Sequence, residues 1–234
     1  MEWRPFSPEY LLEVLPGLLP FLGVTLTVTV GTIVFGSLLG GLLAWAGKSR
    51  SRLLAVLSRG YIYIIRCTPS IVLLFIVFYG LPKFCLEVLE TDINAYDKIF
   101  FVLVSFTLLF AAPISEVMRS AWEAIDRGQY EAAVSIGLSP GQAFFHIVLP
   151  QAAVVALPNF GNAVINLMKE GALAYTIGLV DMIGKGQLLI SHNYGAYALE
   201  TYLALAAIYL VLTVGVEKLC RYLERSFSPP RSAA

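Results

Sequence analysis

Residues 131–150 read EAAVSIGLSPGQAFFHIVLP, a turn-bearing stretch between long apolar runs, and its reading decides what kind of chain this is. Asp126 precedes Gln129 by three residues and Ser139 precedes Gln142 by three, the spacing of a capping box, so a short helix is predicted to start after each. Pro140 falls at the first position of the second helix, where its missing N–H loses no bond, and Gly137 stands where a helix ends in a left-handed turn. Along the first helix Tyr130, Ala133, Val134 and Gly137 follow i, i+3, i+4, i+7 spacing, so small residues line a face suited to close approach. These features describe either a docking element or an interfacial amphipathic hairpin of a membrane protein.

The rest of the chain fixes the setting. Hydrophobic residues make up 58% of the 234 and charged residues only 14%, with a mean hydropathy of +0.75, too little polar surface for a soluble domain of this length. Charge-free runs occupy 14–47, 67–82, 99–115, 147–168 and 201–216, each near or above the roughly 17–25 residues that cross a bilayer as helix. Extended to interfacial tyrosines such as Tyr63, Tyr79, Tyr197 and Tyr202, they give an all-α integral membrane domain over 1–234. Its five spans are expected at approximately 18–46, 60–82, 98–122, 148–169 and 196–219, with the helix pair in a loop at 126–148. Gly171–Val180 is too short to cross and is read as an external cap.

Net charge is zero, which argues against a nucleic-acid partner, but its distribution is uneven. Lys48, Arg50, Arg52 and Arg59 follow the first span without an acid, Glu87, Glu90, Asp92 and Asp97 outweigh Lys83 and Lys98 in the next loop, and Lys218, Arg221, Arg225 and Arg231 cluster after the last span. The positive-inside rule then places the amino terminus outside and the carboxyl terminus in the cytoplasm. It also places 120–148 in the cytoplasm, within reach of a cytoplasmic partner. The opening MEWRPFSPEY lacks the basic region of a secretory signal, so the first span is expected to remain in the mature chain.

Several chemistries find no residues to carry them. Cys67, Cys85 and Cys220 fall in a span, an external loop and the cytoplasmic end, where no two pair, and His146 and His192 lie on opposite sides without ligands at metal spacing. Neither a metal site nor a catalytic residue is expected. Gly47-Lys48-Ser49 ends like a phosphate-binding loop, but Leu42 stands where that loop needs its first glycine. If ATP drives this protein, another chain hydrolyses it.

Within the membrane, Gly36 and Gly40 have the spacing that lets a neighbouring helix come close. Asn159, Asn162, Asn166, Lys169 and Glu170 recur at three- and four-residue steps along one helical face. Polar groups in lipid are costly, so this stripe either lines a water-filled pathway and meets a ligand or bridges neighbouring helices. Pro69 predicts a kink or unwound turn in the second span, a gate hinge or a packing bend, beside Arg66. Glu116 and Arg119, one turn apart, are placed to brace the start of the cytoplasmic loop.

The residues Glu131, Ala132, Ala133, Gly137, Ile147, Leu149 and Pro150 stand in the spacing EAA-x3-G-x9-I-x-LP, which resembles the cytoplasmic coupling loop of ABC importer permeases. Over nearly the whole chain the segments Arg66-Cys67-Thr68-Pro69, Tyr79-Gly80-Leu81-Pro82, Ser115-Glu116 with Arg119, Gly128-Gln129 and Leu157-Pro158 with Asn162 resemble the branch for polar amino acids. Residues 192–212 are similar to permeases for cystine and other sulfur-containing amino acids. Two departures stand out: Cys67 replaces the glycine of the RGTP segment, and Lys169-Glu170-Gly171-Ala172 replaces Lys-Asp followed by small hydroxyl residues.

The resemblance implies a type I importer fold in the bacterial inner membrane. It implies two permeases, identical or homologous, around a substrate path, ABC ATPase subunits docked on the coupling loops, and an extracytoplasmic amino-acid binding protein. ATP and Mg would sit on the ATPase, with no cofactor on this chain. Glu131, Ala132, Ala133, Gly137, Ser139, Ile147, Leu149 and Pro150 would then couple to the ATPase, and Asn159, Asn162, Asn166, Lys169 and Glu170 would line the path. Arg66, Pro69, Glu116 and Arg119 would gate or brace it. An ion-coupled amino-acid carrier and a non-transporting scaffold are the competing readings; the first should show inverted repeats, and the second has no use for a coupling loop.

Overall fold

The computed structural model describes residues 5–227; Arg231, one of the cations used to orient the chain, and the first four residues of MEWRPFSPEY lie outside them. The described residues are helical without a strand. Five helical stretches are long and apolar enough to cross a membrane: Pro8–Gly47, Ser70–Leu89, Lys98–Glu123, Pro140–Ile177 and Ala198–Phe227.

Proline decides where the helices bend and break. Helix α1 (Pro8–Leu18), capped by Ser7, passes through a tight 3₁₀ turn at Leu19–Phe21 into α2 (Leu22–Gly47), so helix begins well ahead of residue 18. Helix α3 (Arg52–Cys67) stops before Pro69, which adopts φ −58° and ψ 136° and caps α4 (Ser70–Phe75). A proline disfavours helical backbone at the residue before it and offers no N–H. The helix expected over 60–82 is therefore divided, with 60–67 in α3 and the apolar crossing stretch starting at Ser70. Wide π-helical turns at Ile76–Gly80, leading into α5 (Leu81–Leu89), and at Phe144–Val148 each sit just ahead of a proline, Pro82 and Pro150. The extra residue in the turn accommodates the carbonyl that the proline ring would strike.

The remaining helices are α6 (Lys98–Glu123), α7 (Arg127–Ser135), α8 (Pro140–Ala143), α9 (Leu149–Glu170), α10 (Met182–His192) and α11 (Ala198–Phe227). The segment read as an external cap is a 3₁₀ extension of α9 over Gly171–Ile177, ending at Gly178 with φ +81°. A helix not expected from the sequence follows: Asp181 caps α10, its Oδ1 accepting from the Gly184 N–H at 2.8 Å.

The chain forms two compact units. The first takes residues up to Phe35, Thr68–Thr107 and Asn166–Val214. Its core gathers Val14, Leu18, Met182, Ala204 and Leu205. Tyr10 stacks on Tyr197 at 3.7 Å and accepts from Asn193 Nδ2 at 2.8 Å, and the buried Glu200 carboxylate accepts from the Ser7 N–H at 2.9 Å.

The second unit takes Gly36–Cys67, Leu108–Ile165 and residues from Gly215. Here the glycine pair of α2 meets α6: a Cβ on Gly36 would lie 2.8 Å from Phe110, and one on Gly40 would lie 2.9 Å from Ile114 and 3.1 Å from the Ala111 carbonyl. Tyr61 Oη donates to the Leu108 carbonyl at 2.8 Å and Ser58 Oγ to the Leu43 carbonyl at 2.8 Å. These bonds seat α3 on its neighbours.

Candidate functional site

The loop at 126–148 is built by its caps. Asp126 caps α7, accepting from the Gly128 N–H at 2.7 Å. The capping box expected with Gln129 is not formed there, because the short Asp side chain closes on the nearer amide. Ser139 and Gln142 do form one: Ser139 Oγ accepts from the Gln142 N–H at 3.3 Å, and Gln142 Oε1 accepts from the Ser139 N–H at 2.9 Å. Between them Gly137 has φ +97°, the Leu138 N–H bonds back to the Ala133 carbonyl at 3.2 Å, and the Gly137 N–H bonds to the Val134 carbonyl at 3.0 Å. This is a Schellman turn, which satisfies the free carbonyls at the end of α7.

The second limb is not a separate short helix. α8 runs through the π turn at Phe144–Val148 directly into α9, so a displacement of the loop has a continuous helical path to Glu170. Ala133, Ala143 and Val148 are buried, holding the two limbs together, and Trp122 at the end of α6 packs on Phe144 with ring centres 4.9 Å apart. Facing outward are Glu131, Ala132, Gly137, Ser139, Leu149 and Pro150, with Ile147 half-buried. Ile136 is 83% exposed at the turn. The Glu131 carboxylate has no hydrogen bond or ion pair among the described residues and lines a cavity of about 740 Å³ with Lys48, Trp122, Tyr130 and Phe145.

Glu116 and Arg119 belong to a longer chain of charges. Arg119 bonds Glu116 at 2.7 Å and Glu123 at 2.6 Å, and Lys48 reaches Glu123 at 3.2 Å. The Lys48 ammonium lies 4.5 Å from the Trp122 ring centre, a cation–π contact. The network ties the end of α2 to the end of α6, from which the loop departs. The sequence marks Lys48 only as a cation that orients the chain and does not mark Trp122, because their pairing depends on a contact between residues far apart in the chain.

On α9, Asn159, Asn162, Asn166 and Lys169 are all exposed. Their side chains make no hydrogen bond or ion pair among the described residues. Glu170 is half-buried and accepts from Ser70 Oγ at 3.1 Å. Among the described residues the asparagines therefore bridge no helices.

Pro69 is exposed at the α3–α4 break. Arg66, on the last turn of α3, lines a cavity of about 410 Å³ with Arg59, Ile62, Tyr63, Cys67 and Glu116. Arg59 and Tyr63 carried a legible signal, since 59, 63 and 66 follow i, i+4, i+7 spacing.

The chain is similar to known proteins. Residues 36–229 match the model of the binding-protein-dependent transport system inner membrane component family. The chain is 38% identical over 222 residues to the L-cystine transport system permease protein TcyL of Bacillus subtilis (strain 168), covering 95% of this chain and 92% of the relative. It is 32% identical over 223 residues to the nopaline transport system permease protein NocM of Agrobacterium fabrum, covering 94% and 92%. A crystal structure of an amino acid ABC transporter with histidines superposes with a TM-score of 0.80 at 28% identity, covering 95% of this chain and 100% of the other. The inward-facing MetNI methionine ABC transporter shares the fold, with a TM-score of 0.68 at 20% identity, covering 96% and 100%.

Proposed function

Because the chain belongs to the family of binding-protein-dependent transport system inner membrane components, we propose that it is the permease of an importer for a polar amino acid of the cystine class. ATP hydrolysis belongs to a separate ATPase subunit. The observation that carries the proposal is the loop at 126–148: a capped, Schellman-turned limb with an exposed Ile136, an unpaired Glu131 and a direct helical continuation into α9. An apolar knob beside a free carboxylate is the surface a partner subunit grips. The 38% identity to a cystine permease supports the substrate class.

The work of the chain is mechanical. Closure of the ATP-loaded partner moves α7, the rigid turn at Gly137 passes that movement to α8, and the unbroken run from α8 to α9 carries it to the polar stripe. Glu131, Ala132, Ala133, Gly137, Ser139, Ile147, Leu149 and Pro150 form the coupling element. The charge chain Lys48–Glu123–Arg119–Glu116 holds the loop's starting point still while the loop moves. Asn159, Asn162, Asn166 and Lys169 face out of the chain toward a path shared with a second permease, identical or homologous. Their exposure and lack of partners within the chain support this, since polar groups at membrane depth need water, ligand or another subunit. Glu170 and Ser70 brace the end of the stripe near the Pro69 break.

The cationic segment after α2 supports the orientation with the coupling loop and carboxyl terminus in the cytoplasm and the amino terminus outside, where a binding protein delivers the substrate. The test is reconstitution with the ATPase and binding protein in liposomes. Uptake of cystine that needs both ATP and the binding protein is expected; uptake driven by an ion gradient alone would overturn the proposal.

A further inference from the structure

Helix α3 shows two different faces to its surroundings. Leu53, Leu57 and Ile64 are 67%, 59% and 63% exposed and lie with Gly60 on one stripe, a surface suited to lipid. Roughly a third of a turn away, at 3.6 residues per turn, run Arg59, Tyr63 and Arg66, all exposed, with Tyr63 at 72%. The three side chains line the same cavity of about 410 Å³. Its one acid, Glu116, is engaged by Arg119 at 2.7 Å. Neither Arg59 nor Arg66 has a hydrogen bond or ion pair among the described residues. Two guanidinium groups without a protein partner at one cavity need an anion or water to meet them.

The spacing narrows the anion. Seven residues of helix separate the two arginines by about 10 Å along the axis, one above the other on the same face. A guanidinium grips a carboxylate with paired parallel hydrogen bonds, so the face offers two carboxylate grips in line with an aromatic ring between them. A single α-amino acid fills one grip. An elongated substrate with an α-carboxylate at each end fills both.

We propose that Arg59 and Arg66 form a two-point carboxylate subsite that selects a bis-amino acid, such as two amino-acid ends joined through sulfur, over a single amino acid. This rests on the amino-acid importer reading for the choice of ligand. Tyr63 supplies the apolar wall between the grips.

Cys67 lines the same cavity and is a free, exposed thiol, so it reports occupancy. In the permease–ATPase complex in lipid nanodiscs, the alkylation rate of Cys67 is read from its peptide by mass spectrometry. The ligands are cystathionine, which has two α-carboxylates and no disulfide to oxidise the thiol, and S-methylcysteine, which has one. A charge-assisted hydrogen bond is worth enough for an effect of about ten-fold or more. Cystathionine should therefore protect Cys67 at about one-tenth the concentration of S-methylcysteine. Arg59→Gln and Arg66→Gln should each erase that difference while leaving protection by S-methylcysteine within about two-fold; Arg→Lys at either site should restore part of it.

No protection by either ligand, or a difference that survives both Gln variants, overturns the subsite. So does loss of the difference together with dissociation of the complex on size exclusion, which would make the arginines contacts to another subunit. ATP-driven cystine uptake by the unaltered importer is measured in parallel. A protection difference without uptake supports the subsite and sinks the proposed cargo, whereas uptake without the difference does the reverse.

Discussion

Replacing Gly137 by valine isolates the turn of the proposed coupling loop from everything around it. A Cβ at this position meets nothing within 4 Å, so the substitution acts through the backbone alone. The φ of +97° costs an L-residue about 1–2 kcal/mol, and a β-branched one more. If the chain relieves that strain by opening the turn, the bonds from Leu138 to Ala133 and from Gly137 to Val134 are lost, each worth about 1 kcal/mol net. The cheaper route sets the effect, so the closed turn is disfavoured by about 1–2 kcal/mol, a factor of roughly 5 to 30. The assay is the number of substrate molecules taken up per ATP hydrolysed in proteoliposomes, together with the affinity of the ATPase for the permease. Gly137→Val should weaken docking by about that factor and lower the uptake ratio while leaving the membrane helices intact by circular dichroism. Gly137→Asn should lie close to the unaltered protein, because asparagine tolerates left-handed backbone. Normal coupling in the valine variant, or equal damage from asparagine, would refute the argument that the left-handed turn transmits the movement.

Other outcomes follow from the packing and the charges. Gly40→Ala drives a methyl to 2.9 Å from Ile114 and 3.1 Å from the Ala111 carbonyl; backbone cannot yield as a side-chain tip does, so thermal unfolding should show a loss of about 1–3 kcal/mol, while Gly23→Ala, with nothing within 4 Å, should be near neutral. Arg119→Met strips Glu116 of its ion pair and leaves Glu123 to Lys48; these groups are partly exposed, so solvent screening limits the stability loss to about 1 kcal/mol, and the clearer readout is a lower uptake ratio. Asp181→Ala should cost about 1–2 kcal/mol through loss of the α10 cap, and Asp181→Asn should keep it. Burial pushes the Asp181 carboxyl above its ordinary range, against its hydrogen bonds from Gly184 and Thr25. The folded state therefore holds the proton more tightly, and stability falls as pH rises from the unfolded value of about 3.9 toward the raised folded one. Melting curves should show Asp181→Asn gaining on the unaltered protein over that interval.

The elements legible in the sequence are those whose signals are local. Hydropathy marks the crossing stretches without reference to contacts, and the Ser139–Gln142 box and the Gly137 turn are set by residues within one or two helical turns. Asp126 reads correctly as a cap but not as a box, since its reciprocal partner depended on side-chain geometry that spacing does not specify. Helix α10 was missed because its sequence, MIGKGQLLISH, carries glycines at 184 and 186, which lower helix propensity. Those glycines serve tertiary packing instead: a Cβ on Gly184 would lie 2.7 Å from Tyr175, and one on Gly186 would lie 2.7 Å from Leu205. The Pro69 break is legible, and so is the 59, 63, 66 spacing on α3 ahead of it, but not that these side chains line one cavity with Glu116. The link from Lys48 to Glu123 and Trp122 joins residues some seventy-five positions apart, and no pattern along the chain announces it.

The most direct test of the account is cystine uptake into liposomes holding the purified permease and ATPase, with binding protein and ATP each supplied or withheld. The account predicts accumulation only when both are present, abolished by an ATPase that binds but cannot hydrolyse ATP. Accumulation that persists without ATP and collapses when an imposed ion gradient is dissipated would contradict it.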